Sequence, residues 1–216
     1  MSVKFWIDPI SQPCRTIEYI FKKLNVDFER NEVKVAKDTR TEDFKKNVNP
    51  AGKVPVVEHD GQKFYESASI IRYLLDVFQG DETLLPRSDL KKRAKVDFWL
   101  DWNNTTGRPG FTGAMATLVL VPKFFGGPEP TEEQKKEALD KYYAALDDIE
   151  RATGEHSYLS GDNLTIADVQ IYNEINESKI ILELDFEKYP NTKAWMEKVS
   201  GDEIVKQTDE SLLKRL

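Results

Sequence analysis

The chain is expected to fold as an α/β unit followed by an all-helical one, and three observations carry that reading. The first 78 residues alternate short apolar strands with amphipathic helical patterns in the order β-α-β-α-β-β-α. Residues 79–88 then place turn formers at both ends, from Gln79-Gly80-Asp81 to Pro86-Arg87-Ser88, so the domain boundary falls there. Beyond it, residues 89–216 show only helical spacing.

In order, Val3-Lys4-Phe5-Trp6-Ile7 reads as a strand stopped by Asp8-Pro9. Ser11-Gln12-Pro13 opens a helix with proline in its first turn, where a missing N–H costs nothing; Ile17, Ile20, Phe21 and Leu24 keep helical spacing. Residues 27–33 form a partly polar strand near an edge, and the strand–helix–strand order implies a parallel crossover. A short helix over residues 41–46 precedes Asn49-Pro50-Ala51-Gly52-Lys53-Val54-Pro55. Pro55 forces Val54 into an extended conformation and opens the strand Val56-Val57. Asp60-Gly61 turns the chain, Lys63-Phe64-Tyr65 returns, and Ile70, Ile71, Leu74, Leu75 and Phe78 mark a helix that starts beside Ser67.

In the second half, residues 89–125 form one long helical pattern, bent near residues 105–110 or at Pro122. Gly126-Gly127-Pro128-Glu129-Pro130 breaks it, and Thr131 to Gln134 is a capping box for a helix through Leu139, Tyr142, Tyr143, Leu146 and Ile149. Thr165-Ile166-Ala167-Asp168 is a second box of that kind, with Leu164 and Val169 as its hydrophobic staple. That placement makes Asp168 a structural carboxylate rather than a catalytic acid. Helices over residues 192–199 and 203–216 finish the chain.

Composition narrows the chemistry. A formal net charge of −7 without a dense basic cluster argues against a nucleic-acid partner, and no apolar run is long enough for a membrane span. The N-terminus lacks the pattern of a signal peptide, and the single cysteine, Cys14, cannot form an internal disulfide, so the cytoplasm is expected. The two histidines, His59 and His156, sit beside a turn and in a polar loop and read as solvated groups without a nucleophile. No nucleophile elbow, metal-ligand spacing, phosphate loop or dinucleotide fingerprint is present.

What remains is a hydroxyl and a thiol at one helix start, Ser11 and Cys14, and a clamp around Val54 and Ser67. Cys14 is either a small packing residue or a thiol without the partner of a Cys-x-x-Cys motif. Ser11 either caps its helix or donates a hydrogen bond to an external anion; with no adjacent base it is not a nucleophile. A cis Val54–Pro55 bond, which this turn-to-strand position suits, would turn the Val54 N–H and C=O outward to pair with an extended peptide, whose carboxylate the helix start at Ser67 could hold. An ordinary hairpin followed by a helix is the alternative.

Taken together, Ser11-Gln12-Pro13-Cys14-Arg15, Asn49-Pro50 through Lys53-Val54-Pro55, Glu66-Ser67 and Leu164-Thr165-Ile166-Ala167-Asp168 resemble a cytosolic glutathione transferase, theta class or theta-like. Arg93-Ala94-Lys95-Val96-Asp97 and Trp102-Asn103-Asn104-Thr105-Thr106 extend the likeness into the helical half. The resemblance implies a thioredoxin-like N-terminal domain over residues 1–78, a helical domain over 89–216 carrying the electrophile site, and a homodimer. It implies glutathione as co-substrate, with no other cofactor and no metal. By position, Gln12, Arg40, Lys53, Val54, Glu66 and Ser67 would bind glutathione and Ser11 would be catalytic. Arg40 stands where theta proteins often have histidine. Trp102, Arg108, Phe111 and Met115 would face the electrophile, although helical core packing accounts equally for the three apolar ones.

The implied activity is conjugation of glutathione to hydrophobic electrophilic small molecules, a detoxification chemistry. A non-catalytic glutathione- or ligand-binding protein and a glutathione-dependent peroxidase or dehalogenase remain alternatives. An unperturbed thiol has a pKa of roughly 8.5, so the protein must favour its anion. Theta enzymes often carry a further C-terminal segment over the active site, and with the sequence closing at Leu216 a more open second-substrate site is expected.

Overall fold

Along β1 (Val3–Ile7) the side chains of Val3, Phe5 and Ile7 are buried while Lys4 and Trp6 alternate with them, the period of a strand packed on one face. Phe5 stands edge-on to Phe21 and Phe28, with ring centroids 5.5 and 5.8 Å away. The computed structural model describes residues 2–78 and 82–216, so the first three positions of the expected linker at 79–88 lie outside the described residues. The chain forms two compact units, one made of residues up to Ser88 together with Gly201–Leu216, the other of Asp89–Ser200.

In the first unit β1 lies between a parallel β2 (Glu29–Glu32) and an antiparallel β3 (Val56–His59), and β4 (Gln62–Phe64) completes a sheet of order β2-β1-β3-β4. Helix α1 (Gln12–Lys23) supplies the crossover that a parallel pair requires, and it packs against α3 (Ser67–Val77). The short α2 (Glu42–Asn47) is capped by Thr41, whose hydroxyl accepts from the Phe44 N–H. Trp6 opposes Val56, so the segment after β1 and the segment before β3 share one end of the sheet. Val57 opposes Phe64 and Ile7 opposes Glu32, which brings the exits of β4 and β2 to that same end.

His59 is 8 % exposed rather than solvated, because its ring is covered by Phe78 and its Nδ1 shares a 2.8 Å hydrogen bond with the Tyr73 hydroxyl. His156 is exposed as expected. The final helix, which the sequence assigns to the helical domain, instead packs with this unit. Tyr19 donates to Asp202 at 3.3 Å and Lys22 to Gln207 at 3.1 Å, while Val205, Thr208 and Leu212 are buried.

In the second unit one helix runs unbroken from residue 90 to 124: α4 (Leu90–Trp102), a π-helical stretch Asn103–Gly107, α5 (Arg108–Met115), a second π-helical stretch Ala116–Leu120, and α6 (Val121–Phe124). Pro109 and Pro122 each follow a π-helical stretch by two residues. A proline inside a helix lacks its N–H and crowds the carbonyl four residues back; a widened turn accommodates both. At Gly110, α5 approaches α7 (Glu132–Glu155) so closely that a Cβ would lie 3.0 Å from the Lys141 carbonyl oxygen. Helix α8 (Ile166–Leu182) is buried at every residue from Ile166 to Ile175, and α9 (Pro190–Ser200) packs against it and α7. The C-terminal helix of the chain is α10 (Glu203–Leu213), capped by Asp202. Among the described residues no helix is long and apolar enough to cross a membrane.

Asp168 does more than cap α8. One carboxylate oxygen accepts from the Thr165 N–H at 2.8 Å and the Thr165 hydroxyl at 2.7 Å, and the other from the Leu159 N–H at 2.8 Å and the Trp195 indole at 2.9 Å. Burial pushes its pKa up while these four donors pull it down. A cap alone is worth about 1–2 kcal/mol. Truncation here strands several buried donors, so Asp168→Ala is expected to cost about 3–5 kcal/mol in denaturant unfolding, and a loss below about 1 kcal/mol would show the network to be dispensable.

Candidate functional site

Four segments meet at the end of the sheet described above. After β1, the main-chain oxygen of Asp8 accepts from the Ser11 N–H at 2.9 Å, and its fully buried carboxylate accepts from the Ile10 N–H at 3.3 Å and the Val35 N–H at 2.8 Å. Arg15, also fully buried, donates to the Pro9 carbonyl at 2.8 Å. These bonds fix Ser11 in extended geometry immediately before α1, half-buried, with its side chain making no cap. Its hydroxyl bonds instead with the thiol of Cys14. Burial pushes that thiol up to about 12, against donors from Ser11 and the Asp8 backbone. The chain's single cysteine is therefore protonated and enclosed, the inert kind, and thiolate chemistry at this site requires a sulfur from outside.

Before β3, Asn49 shapes the loop. Its side chain donates to the Lys53 carbonyl at 2.8 Å and accepts from the Ala51 N–H at 3.0 Å, while its own carbonyl accepts from Gly52 at 2.8 Å. Gly52 has φ +63°, and a Cβ there would sit 2.7 Å from the Thr39 carbonyl oxygen, so only glycine fits. The Val54–Pro55 bond is cis. Val54 is half-buried, and among the described residues its N–H and C=O have no main-chain partner.

After β4, Glu66 adopts φ 62° and ψ 115°, a conformation that costs a non-glycine residue on the order of 1–3 kcal/mol. It precedes α3, which begins at the half-buried Ser67 without a side-chain cap. Helices α2, α4, α7 and α10 are capped by Thr41, Asp89, Thr131 and Asp202; α1 and α3 are not. Both uncapped N-termini lie at the same end of the sheet, where unpaired N–H groups and positive dipole ends favour anions. Gln12 is buried at the start of α1, while Arg40 and Lys53 are exposed.

Of the four helical residues, the three apolar ones fit the core-packing alternative. Phe111 is fully buried edge-on to Tyr142, Met115 is buried, and Trp102 donates its indole N–H to Asp148 at 3.1 Å. These three are core residues. Of the four, Arg108 keeps substantial exposure, 33 % of its side chain, and donates to the fully buried Glu174 at 2.7 Å; Thr112 holds the other oxygen of Glu174 at 2.6 Å. Sequence reasoning missed Glu174 and Asp8, which nothing local marks; it quoted the Asn49-Pro50 motif without reading the bonds by which Asn49 shapes its loop.

Residues 7–82 match the family model for the glutathione S-transferase N-terminal domain, and residues 111–203 that for the C-terminal domain. The chain belongs to the glutathione S-transferase family. The transferase is 28% identical to mouse glutathione S-transferase theta-3 over 99% of this chain and 90% of the relative. It is 29% identical to a dichloromethane dehalogenase of Methylorubrum extorquens over 89% of this chain and 69% of that one. Human glutathione-S-transferase T1-1 in its apo form superposes with a TM-score of 0.89 at 26% identity, covering 99% of this chain and 90% of that chain. A glutathione S-transferase from Pseudomonas fluorescens gives 0.80 at 28%, covering 94% and 97%. The fold is thus the glutathione transferase fold, a thioredoxin-like βαβαββα domain with a helical domain, and the chain is theta-like.

The state of Cys14 gives a direct check. Its folded pKa lies above its ordinary 9.0, so the stability it contributes is complete below pH 9 and is lost as pH rises towards 12. At pH 8 a maleimide is expected to label the native transferase at least about 100-fold more slowly than the denatured chain. Equal rates would place the thiol within reach of solvent.

Proposed function

We propose that the transferase binds glutathione across this end of the sheet and holds its sulfur as thiolate for attack on electrophilic small molecules. The observation that carries the reading is the pair of uncapped helix N-termini, α1 beside Ser11 and α3 beside the strained Glu66. Glutathione supplies two anions to match them. Its γ-glutamyl carboxylate would sit on the N–H groups at Ser67, with Glu66 accepting from the adjacent ammonium. The cysteinyl unit would pair with the Val54 main chain as an added strand, Gln12 would line the pocket, and Lys53 and Arg40 would face the glycyl carboxylate.

The sulfur would then lie at the start of α1. On binding, the Ser11 hydroxyl would leave the neutral Cys14 sulfur, a weak acceptor, and donate to the incoming thiolate. Lowering a thiol from roughly 8.5 by about two units is worth roughly 2.7 kcal/mol and makes thiolate the dominant species at neutral pH. The thiolate would attack an electrophilic carbon, displacing its halide, or a peroxide oxygen. In the helical unit Arg108 is half-buried and pairs with Glu174, and Trp102, Phe111 and Met115 lie in the core. Among electrophiles, the likeness to a dichloromethane dehalogenase favours small halogenated compounds. The role is detoxification, in the reducing cytoplasm where an unpaired cysteine is stable.

Ser11→Ala is expected to lower kcat at least about tenfold while the glutathione Kd stays within about twofold, as for loss of one donor to a developing anion. Unchanged kcat would remove Ser11 from the mechanism. Retention on immobilised glutathione without turnover of any halide, epoxide or peroxide would leave a glutathione-binding protein.

The transferase is further proposed to be a homodimer. Helix α4 exposes Leu90 at 76% and Phe98 at 57%, and α3 exposes Val77 at 39%, apolar surface on the two helices the family commonly pairs across a two-fold axis. Sedimentation should report twice the chain mass for the parent and a shift towards monomer for Phe98→Glu; a monomeric parent would refute the dimer.

A further inference from the structure

The buried Asp8 that shapes the Ser11 loop is itself held from the far end of the chain. Arg215 donates Nε to Asp8 Oδ1 at 3.0 Å and Nη2 to Asp8 Oδ2 at 3.2 Å, a two-point pairing across 207 positions. The carboxylate is fully buried and the Arg215 side chain is 36% exposed. Arg215 follows α10 in a turn in which its own N–H donates to the Leu212 carbonyl at 2.8 Å, so its reach to Asp8 is fixed by the helix end.

We propose that Arg215 is a positioning residue for catalysis: by pairing with Asp8 it fixes the loop that presents the Ser11 hydroxyl at the start of α1. The inference rests on the role given to Ser11 above. Asp8 governs that hydroxyl in three ways. Its carbonyl accepts from the Ser11 N–H, its carboxylate from the Ile10 N–H, and its own N–H bonds with Cys14, the residue the Ser11 hydroxyl engages. Without Arg215 the carboxylate keeps, among the described residues, only main-chain donors and no cation, a buried charge that drives its loop to rearrange. A shift of an ångström in a positioned donor is enough to reduce turnover by one to two orders of magnitude.

A purely structural role, docking α10, is served by other bonds. Tyr19 and Lys23 reach Asp202, and Lys22 reaches Gln207, none of them through Asp8. The effect of Arg215 is therefore concentrated on the loop. The planar guanidinium also matters, since lysine restores the charge but offers a single point of contact.

Steady-state kinetics of Arg215→Ala, Arg215→Lys and the exposed neighbour Lys214→Ala test this, with Arg215→Ala repeated in the Ser11→Ala background. Arg215→Ala is expected to lower kcat about tenfold with the glutathione KM within about twofold, Arg215→Lys to recover part of the loss, and Lys214→Ala to behave as the parent. With Ser11 already alanine, removing Arg215 should cost nothing more. Parental kcat in Arg215→Ala beside a crippled Ser11→Ala would refute the positioning role and leave the serine mechanism standing. A silent Ser11→Ala would overturn the serine reading itself. A further tenfold loss in the double variant would show that Arg215 acts other than through Ser11. Arg215→Gln, neutral and of similar reach, carries the same expectation if the alanine variant fails to fold by circular dichroism.

Discussion

The N-terminus of α1 has a serine at its cap position, yet the hydroxyl does not cap it. A helix end left in that condition retains unpaired N–H groups and a partial positive charge, and a donor stands beside it. The one thiol in the chain takes a bond from that donor but, enclosed and pushed up to about 12, carries no charge for it to stabilise. The electrostatic asset therefore belongs to a ligand. A hydrogen bond to a charged group contributes about 1.5–3 kcal/mol and a helix end about 0.3–1 kcal/mol. Their sum spans the roughly 2.7 kcal/mol that a two-unit fall in thiol pKa requires, so neither a general base nor a metal has to be invoked.

Holding this end of the sheet open has costs. Glu66 stays in a backbone conformation that an unconstrained chain would leave, and Asp8 and Arg15 carry charge into a dry interior. Stability is concentrated elsewhere. In the helical unit, Asp168 joins the start of α8 to α9, Glu174 fastens α5 to α8, and Gly110 brings α5 onto α7. Such a separation is common where a site must remain polar and strained while the surrounding fold persists.

Much of this was readable from the chain because the signals were local. The β-α-β-α-β-β-α order, the cis Val54–Pro55 bond, the two capping boxes and the disturbances near Pro109 and Pro122 each follow from a few neighbouring residues. What escaped notice depended on distance. Nothing near Asp8 announces Arg215, and His59 looks solvated until Phe78 and Tyr73 return to cover it. For Phe111 and Met115 the sequence left core packing and a cleft-facing role open, and both side chains are buried. The assignment of α10 failed because amphipathic spacing shows that a helix has a buried face but not which partner covers it.

The measurement that bears most directly on the thiolate mechanism is a pH titration of protein-bound glutathione, followed by thiolate ultraviolet absorbance. Bound sulfur is expected to ionise about two units below the free thiol, near pH 6.5. Ionisation at the free value of roughly 8.5, with glutathione demonstrably bound, would contradict it.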